Sequence, residues 1–95
     1  MQGRRVYPPE PTDDVQDPLP DDLQEGDYWY DPVVKHWMFV CPVKGLPIAN
    51  LSNHQVIEHE DKTITVSPSI LTHGHYNGEH VSWHGYLERG IWREV

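Results

Sequence analysis

The sequence contains a single cysteine, Cys41, so no disulfide can form within the chain. Small secreted domains stabilised by several disulfides are therefore excluded. No apolar run approaches the roughly 20 residues that span a bilayer, and the N-terminus lacks the apolar stretch of a signal peptide. We expect a soluble protein that is neither secreted nor inserted in a membrane.

Basic residues are also scarce, because 7 Lys and Arg stand against 15 Asp and Glu, for a formal net charge of −8. A phosphate-binding surface needs clustered Lys and Arg that release counterions, so direct binding to nucleic acid is not expected. The surplus of carboxylates favours a basic protein partner. It is also compatible with imitation of a phosphate backbone towards a DNA-binding protein.

The acidic residues concentrate near the N-terminus, where carboxylates outnumber arginines eight to two over residues 1–27. The same stretch holds prolines at positions 8, 9, 11, 18 and 20. High charge with low hydrophobicity favours disorder, and proline favours extended geometry. The sequence therefore predicts an extended, acidic, proline-rich arm over residues 1–26, flexible when free, and a small β domain over residues 27–95. Deleting residues 1–24 should then leave the domain folded.

The four tryptophans all follow the arm, and large aromatics allow a small domain to bury enough area for a core. After the arm, apolar and polar residues alternate as they do in β-strands, and turn residues separate the members of each pair of segments. Predicted hairpins join residues 27–31 to 35–41, 54–61 to 62–67, and 80–88 to 91–95. Because no long stripe of helical period is present, the predicted fold is all-β: a small antiparallel β-sandwich or open barrel. Replacing Trp37 or Trp83 with Ala is expected to unfold it.

Histidines cluster between Thr72 and Gly85, at positions 73, 75, 80 and 84. In a strand His73 and His75 share one face about 6.6 Å apart at the backbone, a spacing that can chelate one ion, whereas His80 and His84 are about 13 Å apart. Further ligands to zinc or another divalent metal would come from neighbouring strands, and the candidate set is His73, His75, His84 and Cys41, with His54, His59 and Glu79 as other donors. The favoured alternative is a polar hairpin around Asn77-Gly78, and a pH-sensing or partner-binding role is a third interpretation.

No residue pattern indicates catalysis. Cys41 shares a strand face with Trp37 and Phe39, which is typical of a buried thiol rather than a nucleophile. Ser67 and Ser69 have no glycine elbow beside them. We predict a protein that is not an enzyme and needs no cofactor.

The expected partner contacts combine arm residues with aromatic side chains on the domain. Tyr28 and Trp29 project to opposite faces of one strand, so a single core cannot cover both. The candidate partner-binding residues are Tyr7, Pro8, Pro9, Asp13, Asp14, Asp21, Asp22, Tyr28, Trp29 and Tyr76.

Three short blocks in order, "WMFVCP", "ITVSPSIL" and "WHGYLERGIW", resemble a family of small uncharacterised proteins encoded by bacteriophages. The resemblance covers roughly the last 60 residues and leaves the arm outside. Some members carry the label ammonia monooxygenase, which no chemistry in this chain supports. Members with additional cysteines look like metal binders, but here Val43, Lys44, Gly45 and Trp83 occupy those regions.

The resemblance implies a bacteriophage protein located in the virion or the host cytoplasm. We expect a non-enzymatic accessory component of the capsid or tail, anchored to other phage structural proteins through its N-terminal arm. One alternative is an early phage inhibitor of a host or defence protein, in which the acidic arm imitates DNA. A second alternative is a small metal-binding β protein that uses the His73/His75 cluster.

Overall fold

The computed structural model describes residues 1–95 and contains strands but no helix, which confirms the predicted all-β class. No helix is therefore available to cross a membrane. The strand bounds are β1 Arg4–Arg5, β2 Asp27–Asp31, β3 His36–Val40, β4 Ile48–Asn50, β5 Gln55–Glu58, β6 Ile64–Ser67, β7 Ile70–Tyr76, β8 Glu79–Glu88 and β9 Ile91–Glu94. The strands form three sheets, ordered β1-β2-β3-β4, β5-β6 and β7-β8-β9, and none closes into a barrel.

The three hairpins expected from turn residues are confirmed, since β2 pairs with β3, β5 with β6, and β8 with β9, each antiparallel. A fourth hairpin joins β7 to β8 through Asn77 and Gly78, whose φ angles are 53° and 81°. Two consecutive left-handed residues are what a two-residue hairpin turn requires, and Asn-Gly supplies them at low cost. This turn sets the register of the longest strand pair in the molecule.

The main core lies between the inner faces of the sheets and is dominated by aromatic side chains. The rings of Trp83 and Trp92 meet edge to face with centroids 5.5 Å apart, and Phe39 lies 5.5 Å from Trp92. Gly85 lies under Trp83, because a Cβ there would be 2.5 Å from Trp83 Cη2. The buried cluster contains Tyr28, Phe39, Cys41, Leu46, Leu51, Ile64, Val66, Ile70, Trp83, Leu87 and Trp92.

The N-terminal segment, for which composition predicts an extended arm, lies against the domain. Strand β1 pairs with β2 in parallel, so the sheet is not purely antiparallel as expected. Gly3 N–H donates to the Gly90 carbonyl at 2.7 Å, and Trp92 N–H donates to the Met1 carbonyl at 2.8 Å. The first residues thus provide hydrogen-bond partners for the edges of two sheets, which would otherwise stay open.

The same segment covers the face of β2 that points away from the main core. Asp27, Trp29 and Asp31 alternate with Tyr28 and Tyr30, and their exposed fractions are only 1%, 0% and 4%. Trp29 does not belong to the main core cluster. Instead, this face meets the segment, whose prolines at positions 8, 9, 11 and 18 enclose a small cavity with Asp31, Pro32 and Val33. The chain therefore has a second, smaller buried layer.

Candidate functional site

The exposed carboxylates of the N-terminal segment form an acidic loop, defined here as residues 10–25. No Lys or Arg occurs between Arg5 and Lys35, so all the charged residues of the loop itself are acidic. The loop is held at both ends: Val6 N–H donates to the Tyr28 carbonyl at 2.9 Å, and Gln24 N–H donates to Asp27 Oδ2 at 2.8 Å. Its exposed acidic residues are Glu10, Asp13, Asp14, Asp17, Asp21, Asp22 and Glu25.

A two-point ion pair fixes the base of the acidic loop. Arg4 Nε donates to Asp27 Oδ1 at 3.0 Å, and Arg4 Nη2 donates to Asp27 Oδ2 at 2.7 Å. The hydrogen bond with Asp27 raises the pKa of Arg4 above its usual value. Arg4 Nη2 also donates to the Asp22 carbonyl at 3.1 Å, so one guanidinium holds β2 and the loop together. Bidentate Arg–carboxylate pairs are among the more strongly directional polar contacts.

Asp17 differs from the other loop carboxylates because it lies against Asp31 of β2. Asp31 Oδ1 already accepts the N–H groups of Val33 and Val34 at 2.9 and 3.3 Å. The hydrogen bond with Asp31 raises the pKa of Asp17, and desolvation and repulsion between the two carboxylates act in the same direction. One shared proton therefore favours closure of the loop on β2, whereas two ionised carboxylates oppose it.

We expect Asp17→Asn to raise the melting temperature by a few degrees at pH 7. A carboxyl whose pKa is raised on folding costs stability when ionised, and this cost disappears as pH falls through the folded-state pKa. The Asn amide can donate to Asp31 without carrying a charge. Thermal melts of D17N and wild type should differ most near neutral pH and converge in acid.

The matched control for that prediction is Asp13→Asn, an exposed carboxylate of the same loop. D13N removes one charge from the loop but leaves the contact with Asp31 intact. A stabilisation of equal size in D13N, or a D17N effect that is independent of pH, would contradict the assignment of the cost to the Asp17–Asp31 pair.

Arg5 forms the second anchor of the segment, on the other side of β1. Its guanidinium lies between the rings of Tyr7 and Trp37, 4.8 and 4.6 Å from their centroids. Arg5 Nη1 donates to Glu58 Oε2 at 2.8 Å and to the Lys62 carbonyl at 3.0 Å. The hydrogen bond from Arg5 lowers the pKa of Glu58 below its usual value. Arg5 thus connects the segment, β3 and the β5-β6 hairpin, a role that no local sequence pattern indicates.

The residues predicted to contact a partner divide into accessible and buried groups. Tyr7 and Tyr76 are exposed, as are Pro9 and the four aspartates at positions 13, 14, 21 and 22, while Pro8 is half-buried. Tyr28 and Trp29 are buried, so they are corrected from contact residues to structural ones. The physical reason is that β2 is covered on both faces, by the main core and by the N-terminal segment.

The β7-β8 hairpin brings the histidines onto one exposed face. His75 lies directly opposite His80, His73 opposite Ser82, and Leu71 opposite His84. The His80 ring centroid is 5.4 Å from that of His73 and 5.6 Å from that of His75. The predicted pair His73/His75 is therefore joined by His80, which spacing along one strand does not reveal.

The other two members of the predicted metal set lie apart from this cluster. Cys41 is buried, with Sγ 3.5 Å from Thr72 Oγ1. Thr72 pairs with the core residue Trp83, so Cys41 lies on the opposite side of β7 from His73 and His75. His84 Nε2 lies 3.0 Å from Ser69 Oγ. The structure does not bring the predicted set together, and no group of three His, Cys, Asp or Glu side chains is arranged as a ready metal site.

The comparisons with known proteins do not place the chain in a family. No family model matches it, and the searches of curated proteins and of solved structures found no match either. Function is therefore inferred from the acidic loop, the aromatic anchors and the histidine face.

Proposed function

We propose that the protein acts by binding another protein, as an accessory component of a bacteriophage capsid or tail, and not by catalysis. The observation that carries the proposal is the acidic loop, in which residues 10–25 expose seven carboxylates and contain no Lys or Arg. Such a surface is complementary to a basic patch on a structural subunit. The resemblance of roughly the last 60 residues to a family of small phage proteins supports the choice of partner.

The anchoring of the loop changes the mechanism expected for a free arm. Arg4 and Asp27 fix the base of the loop on β2 before any partner arrives. A loop that is already ordered loses less conformational entropy on docking than a flexible tether would. The partner then meets a preformed acidic surface, and the side chains that it contacts are the exposed aspartates together with Tyr7.

The location is tested by quantitative mass spectrometry of purified phage particles. We expect the protein in a fixed copy number relative to the major structural subunits, and this copy number should survive washing at moderate ionic strength. Absence from particles, combined with a stable complex with a host protein, would overturn the structural assignment and favour the inhibitor that imitates DNA.

The role of charge is tested by neutralising the accessible aspartates in the variant D13N/D14N/D21N/D22N. Incorporation into particles should fall at least tenfold, because the variant loses four of the seven exposed loop carboxylates and keeps the anchor between Arg4 and Asp27. Asn is tolerated at position 22, where φ is 53°, because its short polar side chain adopts left-handed geometry readily.

The matched control neutralises three exposed carboxylates outside the loop, as E60Q/E79Q/E94Q. Its incorporation should stay close to wild type if the location of the charge, and not the net charge alone, determines binding. Equal losses in the two variants would contradict the acidic loop as the docking surface.

A further inference from the structure

We propose that the exposed face of the β7-β8 hairpin binds one divalent transition-metal ion through His73, His75 and His80. The hairpin places His75 and His80 directly opposite each other, and residues in this relation have Cβ atoms about 4.5–5.5 Å apart. His73 lies diagonally across from His80, and its ring stacks on that of His80. The backbone alone therefore brings three imidazoles together, without help from a loop.

The ring separations match those of imidazoles that share an ion. Zinc–nitrogen bonds of about 2.0–2.1 Å in tetrahedral geometry place the centroids of two coordinated rings about 5 Å apart. The observed separations from His80 are 5.4 and 5.6 Å. The ring nitrogens do not converge on a single point in this conformation, so binding requires rotation of the side chains and leaves the strands in place.

These three rings form no hydrogen bond with the rest of the chain, which distinguishes them from His54, His59 and His84. His54, His59 and His84 are each hydrogen-bonded to an oxygen of Ser69 or Thr65. His73, His75 and His80 are exposed, and the ring of His80 approaches those of both others. A ligand that satisfies their nitrogens would therefore not have to break an existing hydrogen bond.

The chemistry of the face selects the class of ion. Neutral imidazole suits zinc, nickel and copper, whereas magnesium and calcium prefer oxygen donors. The neighbouring side chains on this face are Leu71, Ser82 and His84. The basic residue of the same face, Arg93, pairs with Tyr86 at the far end of β8, so no Lys or Arg lies among the three ligands to repel a cation. Three histidines around zinc leave a fourth position for water.

The test is calorimetric titration of the full chain with zinc chloride at pH 7.5, with magnesium as the negative control. We expect saturable binding of one zinc per chain and no binding of magnesium. His80→Gln should weaken zinc binding at least tenfold, because His80 contacts both other rings. His84→Gln is the matched control on the same face and should bind zinc as wild type does.

Two further measurements locate the ion and check the fold. Imidazole resonances of His73, His75 and His80 should shift on addition of zinc, while those of His54 and His59 should not. Thermal melts should show that H80Q remains folded, as expected for an exposed side chain. No saturable binding, or binding that H80Q leaves unchanged or that H84Q weakens equally, would overturn the proposal.

Discussion

A chain that lacks residues 1–24 is expected to lose most of its stability. Trp29 is fully buried and lies on β2 between Asp27 and Asp31, which contact Arg4 and Asp17 of the segment, so we expect truncation to uncover it. A large aromatic removes about 150–250 Å² from water, which at about 25 cal/mol per Å² corresponds to about 4–6 kcal/mol. Small domains have total stabilities of about 5–15 kcal/mol, so the exposure of this one side chain is a large fraction of the whole.

The same truncation also removes polar interactions, and their removal destabilises the chain further. Asp27 is buried and loses the guanidinium of Arg4, so its buried negative charge no longer has a positively charged partner. Trp92 loses its backbone hydrogen bonds with Met1. Glu58 and the Lys62 carbonyl lose Arg5, so the β5-β6 hairpin is no longer tied to the first sheet. The segment is therefore expected to be part of the folding unit.

The measurements are thermal unfolding followed by circular dichroism and amide hydrogen exchange, each on the full and the truncated chain. The truncated chain should melt at a far lower temperature, and its β2 amides should exchange faster than those of the full chain. In the matched control, residues 12–16 are replaced by a Gly/Ser linker of equal length. These residues are exposed, so the control should melt close to wild type. A truncated chain with an unchanged melting temperature would show that the segment is dispensable.

Local patterns in the sequence predict most of the strands, whereas the contacts of the N-terminal segment depend on tertiary pairing. The β8-β9 hairpin follows from alternation around Trp83 and from the turn at Arg89-Gly90, all within a few residues. Composition correctly describes the segment as proline-rich and acidic. It cannot show that Arg4 meets Asp27 or that Asp17 meets Asp31, because those pairs are fixed by specific contacts and not by average hydropathy.

The histidine face shows the same limit within a single hairpin. Spacing along one strand correctly groups His73 with His75 and separates His80 from His84. The approach of His80 to His75 depends on register across two strands, and the Asn77-Gly78 turn fixes that register. The turn is recognisable from the sequence, so the cross-strand pair can be derived by counting outward from it. The position of Arg5 between Tyr7 and Trp37 cannot be derived in this way, because no nearby turn sets the register of these residues.

Replacement of Trp83 and of Trp37, for which the sequence predicts the same effect, is expected to lower the free energy of unfolding by very different amounts. Trp83→Ala should destabilise the chain by about 3–5 kcal/mol, as for other large buried aromatics. Trp83 is 3% exposed, meets Trp92 edge to face and covers Gly85, so truncation leaves a cavity that its neighbours cannot close. Trp37 is only half-buried and has solvent on one side.

Trp37→Ala should therefore lower the free energy of unfolding by less than W83A does. Part of this loss comes from the cation–π interaction with Arg5, for which about 0.5–2 kcal/mol is typical. Urea unfolding of W83A, W37A and W37F separates the contributions. W37F keeps an aromatic face for Arg5 and should lie between W37A and wild type, whereas W83A should be the least stable of the three. Equal losses of unfolding free energy in W37A and W83A would contradict this difference. They would mean that Trp37, through its contact with Arg5, stabilises the chain as much as the buried Trp83 does.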